Sequence, residues 1–123
     1  MEKVMEDCTI IIQGKIEQDS YDFYKIKYHN CPVILSTWSD CKIDFSELPK
    51  NFKLLIVPLP LESGDQNINF QLVSTINALE LVKTKYVIKM RGDEYWSYPE
   101  NIYQSILNEP NKIHCSSVFF RAW

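Results

Sequence analysis

Apolar residues along this chain follow two periodicities, and the switches between them outline the elements. Cys8-Thr9-Ile10-Ile11-Ile12-Gln13 is a short β-branched run closed by Gly14, the pattern of a buried strand followed by a turn. Pro32 to Trp38 repeats it, and so does Phe52 to Val57, which Pro58 and Pro60 stop. Tyr86 to Met90 reads as a fourth strand running into Arg91-Gly92-Asp93-Glu94, and Ile113 to Phe120 as a fifth. Helical spacing intervenes. Ile68, Leu72, Val73, Ile76, Leu79 and Val82 recur three and four residues apart and share one helical face, beside a polar stripe of Asn67, Gln71 and Ser74. Asp65 or Asn67 stands where an N-cap belongs, and Lys83 and Lys85 near the end favour the helix dipole. A shorter helix through Tyr24 to Tyr28 is expected to be capped by Asp19 or Ser20 and to end at Asn30. Another opens at Pro99 and runs through Ile102, Ile106 and Leu107, whereas Ser39 to Pro49 is a polar connection.

Strands alternating with helices predict an α/β fold: a mostly parallel sheet flanked by helices on both faces, of Rossmann-like type. The 123 residues fit one domain, which at this size buries roughly two-thirds of its unfolded surface. An aromatic content of 13% argues against disorder. The formal net charge of −3 and the lack of a basic cluster argue against nucleic acid as a partner. Met1 to Asp7 is charged and has no apolar core of a signal peptide, and no apolar run reaches the ~18 residues of a membrane helix, so a cytoplasmic protein is expected. Cys8, Cys31, Cys41 and Cys115 form no close pair, and with only His29 and His114 beside them they read as small apolar residues in a reducing compartment.

In an open parallel sheet, ligands bind beyond the carboxyl ends of the strands. That rule singles out Gln13 and Gly14, the segment Ser36-Thr37-Trp38 with Ser39 and Asp40, and Arg91 to Glu94. Asp93 and Glu94 are hard oxygen donors suited to Mg²⁺ or Mn²⁺ carrying a diphosphate, although a solvated turn has the same composition. Gly92 would allow close backbone approach to a ligand, and Arg91 could grip phosphate with paired hydrogen bonds. The chain has three glycines, Gly14, Gly64 and Gly92, too few and too scattered for a dinucleotide fingerprint or a phosphate loop.

Several segments, in order, carry a resemblance. They are Thr9 to Gly14 (Thr-Ile-Ile-Ile-Gln-Gly), Ile34 to Trp38 (Ile-Leu-Ser-Thr-Trp), Asn69-Phe70-Gln71 with Ser74-Thr75, and Thr84 to Asp93 (Thr-Lys-Tyr-Val-Ile-Lys-Met-Arg-Gly-Asp). Together they look like the first half of the WavE family, glycosyltransferases associated with lipopolysaccharide synthesis. The resemblance implies a GT-A-like fold binding a nucleotide-sugar donor, with Gln13, Gly14, Ser36, Thr37 and Trp38 beside the nucleotide and Asn69 and Gln71 facing it from the helix. Arg91 and Asp93 match the family's arginine-x-aspartate element, which is similar to the metal-binding Asp-x-Asp of GT-A enzymes; Glu94 joins them on its chemistry. The acceptor would be a glycan. Because family members continue beyond the point matched by Trp123, residues 1–123 are expected to form the donor-binding part without the acceptor-binding one. Such a part would expose apolar surface and favour a homo-oligomer or a complementing chain.

Overall fold

A computed structural model of the chain describes residues 7–39, 43, 45, 47–58, 68–92 and 98–111. Seven elements appear in chain order: β1 (Cys8–Gln13), α1 (Gln18–Lys27), β2 (Val33–Trp38), β3 (Phe52–Val57), α2 (Ile68–Leu79), β4 (Tyr86–Arg91) and α3 (Pro99–Asn108). The strands form one sheet in the order β3-β2-β1-β4, with every pairing parallel. The α/β fold expected from the alternation is present. The fifth expected strand, Ile113 to Phe120, lies outside the described residues, as do Asp40, Cys41, His114 and Cys115.

The two central strands are buried at every position, which is why their sequences are nearly continuous apolar runs and not alternating ones. From β1 the chain steps outward to β2 and β3, then crosses back to place β4 on the other side of β1. This reversal is the strand order of Rossmann-like sheets and creates a switch point between β1 and β4.

One face of the sheet presents Ile10, Ile12, Val33, Leu35, Ile88 and Met90. Tyr21, Tyr24 and Tyr28, three and four residues apart on α1, close over it, and the rings of Tyr24 and Tyr28 stack with centroids 5.4 Å apart. Ile102, Tyr103 and Ile106 of α3 pack against the same cluster. Tyr103 meets Tyr86 edge-on, and Asn30 donates to Glu100, so by Pro99 the chain stands at the amino edge of the sheet. The opposite face has a smaller cluster of Ile11, Ile34 and Ala78, and α2 covers it.

Three local expectations change. Helix α1 starts earlier, with Glu17 at the N-cap and no side-chain cap bond; Asp19 sits in the first turn, where its charge favours the dipole, and Ser20 is buried. Helix α2 ends at Leu79, so Lys83 and Lys85 lie in the connection that follows and no basic residue occupies its last turn. The larger correction concerns which side of α2 meets the sheet. Leu72, Ile76 and Leu79 are 49%, 53% and 46% exposed, whereas Ser74 and Ala78 are 0% exposed. Small residues four apart let the helix lie close to the strands, and Ser74 satisfies polar groups that the sheet has already buried. The expected N-cap residues Asp65 and Asn67 lie outside the described residues.

Candidate functional site

The carboxyl ends of β2, β1 and β4 are tied together by main chain. Gln13 and Arg91 are direct partners across β1 and β4. Beyond them the Gly92 amide donates to the Gln13 carbonyl at 2.9 Å, and the Gly14 amide donates to the Ser36 carbonyl at 2.9 Å. Gly14 has φ 103°, in the left-handed region that side chains other than glycine rarely adopt, and turns the chain off β1. Gly92 is glycine for a different reason. A Cβ there would collide with the Lys15 carbonyl oxygen and with Ile16 Cγ1. The close approach foreseen for a ligand at Gly92 is therefore taken up by the chain's own β1–α1 connection.

Behind this edge a buried polar relay joins both central strands to α2. Ser74 Oγ donates to Gln13 Oε1 at 2.9 Å, and Ser36 Oγ donates to the Ser74 carbonyl at 2.9 Å. Gln13 and Ser36 thus lock the helix onto the sheet, and their side chains are buried. Thr37 alternates onto the tyrosine face, where its buried hydroxyl has no partner among the described residues. Trp38, next along, is largely buried. Arg91 is exposed at the edge. Asn69 and Gln71 lie in the first turn of α2, and their side chains are outside the described residues.

Asp93 and Glu94 also fall outside the described residues, directly after Gly92. Among the described residues no group of three His, Cys, Asp or Glu side chains could hold a metal ion. The geometry brings Gln13, Gly14, Ser36 and Arg91 to one edge and puts the start of Asn69–Gln71's helix over the same end of the sheet; Thr37 is turned to the other face.

Two residues matter here that sequence reasoning did not assign. The Tyr24 hydroxyl reaches across from α1 to the carbonyls of Gly92 at 3.1 Å and Arg91 at 3.4 Å, holding the end of β4 where Asp93 departs. Ser74 is the hub of the relay, although its place in a polar stripe pointed to a solvated face. The 21-24-28 spacing marks a tyrosine face, but no local signal tells which hydroxyl finds a carbonyl 68 residues away.

A cavity of about 570 Å³ opens at the other end of the strands, between the starts of β1, β2 and β3. It is about 20 Å from the switch point, the length of a six-residue strand. Nearby, burial pushes the Cys8 and Cys31 thiols up to about 12, so both are neutral and unreactive at ordinary pH. His29, exposed, pairs through Nδ1 with the Ile26 carbonyl at 3.0 Å.

Strand order and switch point define a Rossmann-like parallel α/β domain. No family model, curated protein or solved structure matches this chain. No helix among the described residues is long and apolar enough to cross a membrane.

Proposed function

We propose that the domain binds a nucleotide-sugar donor at the carboxyl edge of β1 and β4 and acts as a glycosyltransferase, or as the donor-binding part of one, on a glycan or lipopolysaccharide-type acceptor. The observation that carries the reading is the switch point: Gln13 and Arg91 stand side by side there, and Arg91-Gly92-Asp93-Glu94 leaves from it. A guanidinium exposed at that edge offers a planar fork of donors suited to a diphosphate. Asp93 and Glu94, two hard carboxylates, have the chemistry to hold Mg²⁺ or Mn²⁺, and a bound ion would offset negative charge on the departing diphosphate.

The chain's own contribution is positioning. Tyr24 fixes the last carbonyls of β4, and Ser74 fixes the helix that carries Asn69 and Gln71. In the transfer, the acceptor oxygen bonds the anomeric carbon as the bond from that carbon to the diphosphate oxygen breaks, and the hydroxyl proton passes to a base.

Titration with UDP-, GDP- and CMP-sugars, with and without Mn²⁺, tests the reading through the melting temperature. A ligand at a hundred times its Kd stabilises by about 2.7 kcal/mol, a shift readily seen at this size. The expected result is a Mn²⁺-dependent shift that Asp93→Ala abolishes and Arg91→Ala weakens. Donor hydrolysis or transfer then assigns an enzyme; binding without either assigns a non-catalytic nucleotide-sugar domain. If no nucleotide moves the transition, the proposal fails and an α/β interaction domain takes its place.

A further inference from the structure

The cavity at the amino edge lies away from the switch point and has a chemistry of its own. Its floor is the start of β2, where Val33 and Ile34 are buried, flanked by Cys31, Pro32 and, from the connection after α2, Leu81. Several polar groups of its walls are already engaged. Asn51 Nδ2 donates to the carbonyls of Cys31 at 2.7 Å and Tyr28 at 2.9 Å. Thr84 Oγ1 donates to the Tyr86 carbonyl at 2.9 Å and lies 2.6 Å from Thr9 Oγ1. The Val33 amide donates to the Asn51 carbonyl at 2.9 Å. Walls held this way are pre-formed, and they leave the floor to apolar contact.

The rim is cationic. Lys50, Lys53 and Lys83 line the cavity from three separate segments: the β2–β3 connection, β3 itself, and the α2–β4 connection. All are exposed, and among the described residues none of them forms an ion pair with a carboxylate and no Asp or Glu lines the cavity. Two carboxylates stand at this edge of the sheet and both are engaged: Glu100 accepts from Asn30 Nδ2 at 3.1 Å, and Asp7 Oδ1 accepts from the Lys85 amide at 2.9 Å. Three like charges converging in a chain whose net charge is −3 make a local field opposite to that of the whole molecule. The volume falls within the roughly 300–1,000 Å³ of small-molecule sites.

We propose that this cavity binds an amphipathic anion, its apolar body seated against Pro32, Leu81 and the lysine stems over the buried start of β2, and its carboxylate or phosphate head at Lys50, Lys53 and Lys83. The site is independent of the donor-binding reading, because it occupies the opposite edge of the sheet. Lysine stems extend the apolar wall while their ammonium groups stay in water, so head and body of such a ligand are recognised by different parts of the same side chains.

The test is a titration of the full chain with dodecanoate and dodecyl phosphate, each below its micelle concentration, and with uncharged dodecanol below its solubility limit, followed by amide chemical shifts. Both anions should saturate a site whose shifts centre on Val33, Ile34, Leu81 and Thr84, and the tighter of the two identifies the head. Reversing two rim charges in Lys53→Glu/Lys83→Glu should weaken anion binding about tenfold and leave dodecanol unaffected. Lys50→Glu provides a second, separate change at another exposed position. Ile76→Lys, on the exposed side of α2, should change nothing. Equal affinity for dodecanol and the anions, undiminished binding to the charge-reversed chain, shifts centred on Leu72 and Ile76, or no saturable binding at all would each overturn the proposal.

Discussion

The two faces of the sheet are closed by different means. On one, three tyrosines of α1 and the apolar side chains of α3 lie over Ile10, Ile12, Val33 and Leu35, a cluster in which burial and packing dominate. On the other, α2 approaches through Ser74 and Ala78, and a relay of hydroxyl and amide groups anchors it where the opposite face has rings. The first face stabilises by apolar area removed from water, and tolerates no loss of volume. The second stabilises by satisfying Gln13 and Ser36, whose polar groups the sheet has buried whatever α2 does.

Substitutions at matched positions sharpen that contrast. The largest effect is expected from Leu35→Ala, which opens a cavity beneath the tyrosines and should cost about 2–5 kcal/mol in urea unfolding. Titration should probe the same face next. Cys8 and Cys31 have thiols raised from the ordinary 9.0 to about 12. Both therefore hold their protons more tightly when folded, so the stability they contribute is intact below pH 9 and falls as pH rises toward 12. Each thiol adds a slope on the order of 1.4 kcal/mol per pH unit, and Cys31→Ala should flatten its share in unfolding curves taken across that range.

On the α2 face, Ser74→Ala leaves Gln13 Oε1 buried without its donor and should cost about 1–3 kcal/mol. The same variant should speed hydrogen exchange in α2 more than in α1. The smallest effect belongs to Ile76→Lys. A helix packed by its apolar stripe would lose several kcal/mol, but with Ile76 facing outward the change should stay within about 0.5 kcal/mol. Light scattering on the same variant asks whether the exposed stripe of Leu72, Ile76 and Leu79 promotes self-association. A large loss at Ile76 with none at Ser74 would erase the distinction between the faces.

Much of the architecture was legible in the residues. Continuous β-branched runs marked β1 and β2 because a central parallel strand is apolar on both sides, and Pro99 marked the start of α3. Of the candidate site, the edge positions Gln13, Gly14 and Arg91 followed from one rule about parallel sheets, and the structure makes them neighbours. Periodicity misled at α2. It reports that Leu72, Ile76 and Leu79 share a side, which is a local fact of helix geometry; which side turns inward depends on groups supplied by other strands.

Local chemistry, then, determined the elements and the layered class of the fold, since strand and helix periods are written within a few residues of one another. Tertiary structure alone decided the strand order, the turn of α2 toward Gln13 and Ser36, the hydroxyl of Tyr24 on the end of β4, and the meeting of Lys50, Lys53 and Lys83. Each of these joins segments far apart in the chain. Hydrogen bonds and charge fields act through space, so their partners can be read only once the chain has folded.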